Sequence, residues 1–322
     1  MHNYLENLKK INFLSQISKK TGFSKFRILL DAIYCYLRYG CNRRQYYVWE
    51  FYALRSFQRK KAMTYDRWVK ISNKSNDKDY IHFFENKVDF LKTFSNYIYR
   101  KWCYPRQNSF EQFLIFWNSC PSIIEKPINA FQGIGVKKID KKLYMSDDQL
   151  VALYDRCVKD DILLEECIVS HPEMCFGSSS VNSLRVHTMI DREGIPHVLK
   201  VILKAGVGDN ITDNYCNGGV IYPVDLETGI IDACGITHTK ERAIYHPGTD
   251  ICMVGKKIPM HQEMLAKIKE AAMVVPQIRS VGWDIAISKE HVVIIEGNHD
   301  PGYEVLENIG EKGFYEKYMN LL

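Results

Sequence analysis

Residues 282–302 read GWDIAISKEHVVIIEGNHDPG. The apolar, β-rich runs at 283–288 and 292–296 predict two strands joined by a tight turn at 289–291. Asp284 opens the first strand, and Glu296 and Asn298 close the second. Two residues apart on an extended backbone, Glu296 and Asn298 face the same side, and a hairpin can bring Asp284 to them. Oxygen donors of these types suit Mg²⁺, which prefers octahedral oxygen coordination and keeps phosphate ligands. A polar hairpin end turned by Asp300, Pro301 and Gly302 fits the same letters, so this stretch alone leaves both readings open.

Outward from that hairpin, strands and helices mix without a regular βαβ repeat. Helical periodicity runs through residues 90–102. Residues 122–126 and 162–168 read as strands, and 184–190 with 197–205 as a hairpin around 191–196. Ser146 and Gln149 have capping-box spacing and open a helix to about residue 158. Pro259 fits the first turn of a helix reaching about residue 275. The Gly-, Asn- and Asp-rich stretch 206–219 is a loop, in which Asp209, Asn210, Asn214, Gly218 and Gly219 could approach a substrate. This order favours an α+β fold over a parallel sheet.

The 322 residues suffice for one large domain or two modest ones. Net charge is +5 but uneven: residues 1–75 hold 16 Lys or Arg against four acids, +12, and the remainder carries −7. Helical spacing of Phe26, Leu29, Leu30, Ile33, Tyr34 and Leu37 makes this basic segment helical. The polar stretch at 73–79 reads as a linker, dividing a basic helical region, 1–79, from a second domain, 80–322. No apolar run is long enough to span a bilayer, and the N-terminus lacks the apolar core of a secretory signal. Ten cysteines without a CxxC pair argue against a zinc ribbon and fit reduced thiols in a cytoplasm.

Two further segments could carry chemistry. In IIEKPINAFQGIGV, Lys126 ends an apolar strand and Gly133 and Gly135 follow in a loop. Such a loop can bring backbone N–H groups to phosphate oxygens, with the lysine as a point charge; a strand–turn with a solvated lysine fits equally. A P-loop is excluded, because the pattern is not GxxxxGK[ST]. In ILLEECIVSHPE, backbone amides leaving the strand at Glu165, Glu166, Cys167 and Ile168 can read an adenine edge; an ordinary buried strand ending in surface acids fits too. His187, His238, His246 and His299 are scattered and read as structural or surface histidines, His299 lying beside the metal-type residues.

Taken together, EKPxxxxxGxGV, LLEExI, NSLRV, GWDIAI and IIEGNxxPG resemble, in order and spacing over about residues 80–310, the ATP-grasp superfamily. More narrowly they are similar to the sugar-transfer-associated ATP-grasp proteins of bacterial polysaccharide biosynthesis. The resemblance implies two α+β subdomains clasping ATP. It implies that Lys126, Lys87, Gly133 and Gly135 meet the nucleotide phosphates, that Glu165, Glu166, Cys167 and Ile168 form the adenine hinge, and that Glu173 contacts the ribose. Asp284, Glu296 and Asn298 become the ligands of two Mg²⁺ ions, with Mn²⁺ as the alternative and Glu296 bridging. One departure stands out: many ATP-grasp ligases place an arginine two residues before the first metal Asp, and here that residue is Gly282. Arg185 or Lys204 is the expected replacement, Arg185 because its fork suits bidentate phosphate contact.

The implied activity is a carboxylate–amine ligase working through an acylphosphate, on a small carboxylate and an amine-bearing or glycan acceptor in surface-glycan assembly. A kinase on the same fold, phosphorylating a sugar or alcohol, and a non-catalytic nucleotide-binding subunit are the alternatives. The basic N-terminal region suggests peripheral contact with an anionic membrane at the inner face of a cytoplasmic location; a basic face shown to an acidic glycan, or a helical cap with a solvated basic face, fits the same charge. No nucleic-acid recognition motif accompanies the charge.

Overall fold

A computed structural model of the chain describes residues 13–129, 134–177, 180–208, 218–237, 239, 241–309 and 313–322. The chain forms two compact units, Met1–Ser75 with Gly302–Leu322, and Asn76–Pro301. The sequence boundary at 79/80 lies four residues beyond the end of the first segment, and the C-terminal residues join the N-terminal unit. No described helix is long and apolar enough to cross a membrane.

The first unit is helical, as the basic segment's periodicity predicts: α1, Phe13–Thr21; α2, Lys25–Tyr39; α3, Arg43–Val48; α4, Ser56–Lys61; and α5, Tyr65–Ser75. Ser24 caps α2 by accepting from the Arg27 amide at 3.3 Å. Ile17, Ile28, Cys35, Tyr39, Tyr46 and Phe51 pack as this unit's core.

The second unit holds, among the described residues, a four-stranded and a seven-stranded sheet, both wholly antiparallel in their pairings. It begins with Asn76, which is buried rather than part of a polar linker. Its amide bonds the Ser280 and His299 carbonyls at 3.0 and 2.7 Å. The expected helix at 90–102 is shorter: α6 spans Lys87–Thr93, a further turn covers Ser95–Ile98, and Tyr99, in the left-handed region at φ 40°, ends it. Trp102 therefore lies in a strand, β1, Trp102–Cys103. The helix α7, Phe110–Ser119, follows. Then come β2, Ile123–Pro127; β3, Lys137–Ile139; α8, Asp147–Lys159; and β4, Ile162–Glu166. The small sheet has the order β1-β4-β2-β3, and one of its faces packs on α7 and α8 through Phe113, Phe116, Trp117, Leu153, Cys157 and Leu164. The anticipated capping box is present on α8, where Ser146 Oγ accepts from the Gln149 amide at 3.3 Å.

The large sheet contains β5, Ser183–Ile190; β6, Pro196–Ala205; β7, Val220–Val224; β8, Gly235–Thr237; β9, Arg242–Ala243; β10, Ser280–Ile287; and β11, Val292–Asn298. Its order is β11-β10-β5-β6-β7-β8-β9. The helix α9, His261–Ala272, starts two residues after Pro259, because Met260 sits in the left-handed region at φ 54°. Period-2 alternation sends Leu184, Val186, Val201, Leu203, Trp283 and Ile285 into the main core with α9 residues Met264 and Ile268. The opposite parity carries the polar residues of the next section. The chain then returns to the first unit as α10, Phe314–Leu321. There Tyr318 packs edge-on against Trp68, and Glu307 Oε1 accepts from the Met63 and Phe314 amides, each at 2.9 Å.

Candidate active site

Asp284 lies on β10 directly opposite Glu296 of β11 on one side and Arg185 of β5 on the other. Directly opposed residues in antiparallel strands share a face, so the ladder register itself collects these three side chains. The β10–β11 register slips after Asp284: Glu296 faces Asp284, yet Ile294 faces Ile285, and Ile295 is the extra residue of a bulge. A bulge disrupts the ladder locally, and here Arg100 meets its carbonyls, donating to Ile294 O at 2.6 Å and Ile295 O at 2.9 Å.

Arg185 grips Asp284 with two bonds, Nε to Oδ1 at 2.6 Å and Nη2 to Oδ2 at 2.9 Å, while Lys204 Nζ reaches Oδ2 at 3.1 Å. Burial alone would push the Asp284 acid up, but the charges of Arg185 and Lys204 overcome it and hold the carboxyl well below its usual range. Glu296 is its counterpart. More than a third of the residue is exposed. Partial removal of its carboxyl from water, followed by repulsion from Asp284, raises its pKa. The two carboxyl groups face each other across the β10–β11 ladder and repel, which a cation between them would relieve. Asn298 approaches from the same strand, its amide 3.5 Å from Glu296 Oε1. No group of three or more His, Cys, Asp or Glu side chains able to hold a metal occurs among the described residues. Two carboxylates and an amide oxygen are nonetheless a donor set that fits Mg²⁺, which completes its shell with water and phosphate. The contact between two carboxyls is the feature a divalent cation would relieve.

A Cβ at Gly282 would collide with Pro301 Cβ and lie 3.3 Å from Arg185 Nη1, so a side chain does not fit there. Arg185 Nη1 also bonds the Pro301 carbonyl at 3.3 Å.

The second wall comes from the small sheet. On β4, Ile162 and Leu164 enter the small core, while Leu163 turns to the main core and Glu165 is buried on that same face. Lys126 on β2 has the matching parity, and its Nζ lies 3.0 Å from Glu165 Oε2. Arg100 Nε meets the same oxygen at 2.5 Å. Burial raises the Glu165 acid, but Arg100 and Lys126 outweigh it and hold it at about 2. Lys87, at the start of α6, joins the two walls. Its Nζ donates to Ile128 O at 2.6 Å, and its charge feels Glu296, Lys126 and Glu165 together. Burial is the largest influence on Lys87 and lowers its pKa; Glu296 opposes the shift and Lys126 adds to it. Five cationic side chains, Lys87, Arg100, Lys126, Arg185 and Lys204, thus stand around three carboxylates, a surplus that favours an anionic ligand.

Among the hinge residues, the Glu166 amide donates to Lys101 O and the Cys167 amide to Ser122 O, each at 2.9 Å. The Ile168 amide makes no hydrogen bond among the described residues. The segment then docks on the large sheet, where the His171 amide donates to Ile287 O at 2.8 Å. Glu173 sits exposed on the turn Pro172–Met174, where its backbone amide donates to His171 Nδ1 at 3.2 Å. Gly135 has φ 76°, and a Cβ there would lie 2.9 Å from Pro127 Cγ, so both backbone and space require glycine. Gly133, Asp209, Asn210, Asn214 and His238 lie outside the described residues. His246 Nε2 bonds the Gly206 carbonyl at 2.8 Å, and His299 Nε2 lies 3.4 Å from Glu85.

Two residues near the site were not singled out for it by the sequence. Arg100 resembles any surface arginine in SNYIYRKW, yet it is buried and ties β4 to β11. His187, opposite Gly282, is fully buried with neither ring nitrogen bonded. Burial first, then Arg185 and Lys200, pushes its pKa well below the ordinary value, so the ring is neutral.

The sugar-transfer associated ATP-grasp family model matches residues 108–320. The chain belongs to that family. No curated protein matches the sequence significantly. Among solved structures, the ATP-grasp ligase PsnB, complexed with a minimal precursor, is 14% identical over 77% of this chain and 64% of its own, with TM-score 0.44. The ADP complex of N5-carboxyaminoimidazole ribonucleotide synthetase is 10% identical over 74% and 51%, TM-score 0.44. The biotin carboxylase domain of the Hydrogenobacter thermophilus 2-oxoglutarate carboxylase, in complex with MgADP, ADP and bicarbonate, is 10% identical over 76% and 46%, TM-score 0.45. The chain thus spans less than two thirds of each of these proteins. Within this ATP-grasp chain, β10, β11 and β5 carry the acidic and cationic cluster, and β2, β4 and α6 carry the second group of lysines.

Proposed function

We propose that this ATP-grasp protein is a Mg-ATP-dependent carboxylate–amine ligase that modifies a surface glycan or its precursor, for example with an amino acid. The observation that supports the reading is the opposed pair of carboxyls, Asp284 and Glu296, with Asn298 beside them and Lys87 within electrostatic reach of both Glu296 and Lys126. Magnesium would be held by Asp284, Glu296 and Asn298, and when bound it supplies charge neutralisation at the phosphate oxygens. One or two ions, or Mn²⁺, suit this donor set.

In this reading a substrate carboxylate attacks the γ-phosphorus and ADP leaves; an amine then attacks the acyl carbon and phosphate leaves. Lys87 and Lys126 hold phosphate oxygens, with Glu165 and Arg100 fixing the ammonium of Lys126. Asp284 keeps Arg185 and Lys204 adjacent, where they stabilise the charge of the transferring group. Gly133 and Gly135 let the loop after β2 approach the phosphates. The Ile168 amide, with Glu165, Glu166 and Cys167 setting the strand end, reads the adenine edge, and Glu173 meets the ribose as the chain closes on the nucleotide. The chain supplies positioning and electrostatics and needs no covalent nucleophile. The oxygen donor set supports the cofactor choice, and the family description supports a glycan acceptor. A cytoplasmic location with peripheral contact to anionic membrane completes the reading.

The test is ADP release screened over amino acids paired with uronic acids and amino sugars, with mass spectrometry of products. An amide or ester product with free phosphate supports the ligase; a phosphorylated product means a kinase, and ADP release with no acceptor in a broad panel removes both.

A further inference from the structure

The helix α2 wears its apolar stripe on the outside. Phe26, Leu29, Leu30, Ile33, Tyr34, Tyr36 and Leu37 are all exposed, Leu37 by 77% and Phe26 by 69%. In an ordinary surface helix the stripe at i, i+3, i+4 and i+7 faces the core. Here the core side is Ile28, Cys35 and Tyr39. The helix's rotation is fixed by its one acid: Asp31 receives two bonds from Arg59, at 2.7 and 2.9 Å, and one from Tyr46 Oη at 2.6 Å. Turning the stripe inward would tear out that bidentate pair.

Charge identifies what the face meets. Between residues 13 and 44 there are seven Lys or Arg, and Asp31, turned away, is the only acid. Lys25, Arg27 and Arg38 share α2 with the stripe and are exposed, and Arg27 lies 3.9 Å from the ring centroid of the exposed Phe23. A basic border around a protruding aliphatic and aromatic stripe matches an anionic bilayer, where apolar groups enter the acyl boundary and cations meet headgroups. A protein groove would more often be met by a mixed-charge rim, which is absent on this helix. We infer that the exposed face of α2 docks the protein on anionic lipid, lying in the interface with Phe26, Leu30, Ile33 and Leu37 inserted. This deepens the membrane contact proposed above and rests on that part of the reading, while requiring nothing of the ligase chemistry.

The experiment is co-flotation of the full chain with vesicles of phosphatidylcholine alone and of phosphatidylcholine with a quarter phosphatidylglycerol. ADP release and light scattering are measured on the same preparations. Wild type is expected to float with the anionic vesicles, weakening in high salt without vanishing. The variant Leu30→Glu/Ile33→Glu/Leu37→Glu is expected to lose binding at least tenfold. Lys25→Gln/Arg38→Gln should lose about fivefold per cation removed. ADP release without lipid stays unchanged in both, which separates this inference from the ligase reading and shows that the variants fold. Absence of wild-type flotation at low salt overturns the proposal. So does equal flotation of the triple Glu variant. A wild-type dimer that the triple variant turns into a monomer, without vesicle binding, assigns the face to a second copy and also overturns it.

Discussion

At the residue scale, the site is a set of charges held in place by other charges. Glu296 is the exposed member of an opposed carboxyl pair, whereas Asp284 is already engaged by Arg185 and Lys204. Glu296→Gln keeps the shape and removes the charge, so Mg-dependent ATP turnover is expected to fall about 10³-fold with little change in melting temperature; undiminished turnover would refute the metal assignment. Arg185→Lys retains charge but cannot make the fork, so turnover should stay depressed about 10²-fold, read from kcat at saturating ATP. Glu165 carries a pH signature. Its folded-state pKa, about 2, lies below the unfolded value, so its stabilisation is complete above the unfolded pKa and disappears as pH falls through the folded one. Urea midpoints of wild type should therefore lose about 3 kcal/mol to this group between about pH 5 and pH 2. Glu165→Gln should lack that slope and be about 3–5 kcal/mol weaker at neutral pH, because Arg100 and Lys126 remain buried without their partner.

At the element scale, register converts sequence spacing into a site, and a small intrusion on the register should be felt. Gly282→Ala places a methyl against Pro301 beside Arg185 and is expected to cost about 1–3 kcal/mol, read from denaturant midpoints. A neutral result would mean that residues at 300–302 yield freely. Restoring the familiar pattern by Gly282→Arg should be worse, because Arg185 already fills that space. The sequence made much of this legible: the 282–302 hairpin, the β5–β6 hairpin and the α8 capping box all carry strong local periodicity or turn chemistry. Where reading failed, the information was not local. Strands β7, β8 and β9 lie in a Gly- and turn-rich stretch whose pairing partners decide them. The helix expected through Trp102 stops because Tyr99 takes a left-handed turn and Trp102 pairs with Glu165. Asn76 looked like linker because its partners, Ser280 and His299, are over 200 residues away. Arg100 was invisible because the carbonyls it binds exist only where β11 bulges.

At the scale of the whole molecule, the chemistry and the exposed apolar helix belong to different units. Every described residue of the candidate site lies between Asn76 and Pro301, whereas α2 lies in the unit built from both termini. Residues 1–75 stand out in the sequence by their charge and by the polar stretch at 73–79, but the return of the C-terminus left no signal, since Glu307 looks like any surface acid until its bonds to Met63 and Phe314 are formed. This division makes nucleotide binding a test that isolates one unit. A ligand that binds only the folded state stabilises by mass action, about 2.7 kcal/mol at a hundredfold excess over Kd, so MgADP should raise the melting temperature of wild type. EDTA should remove most of the shift, because ADP then meets Glu296 without a cation between them; Glu296→Gln should do so by weakening the metal site, and Lys126→Ala by removing a phosphate contact. Leu30→Glu/Ile33→Glu/Leu37→Glu should keep the full shift. An undiminished shift in EDTA would mean that the phosphates bind without metal, and the paired carboxyls of Asp284 and Glu296 would then need another explanation, such as a proton shared for its own sake.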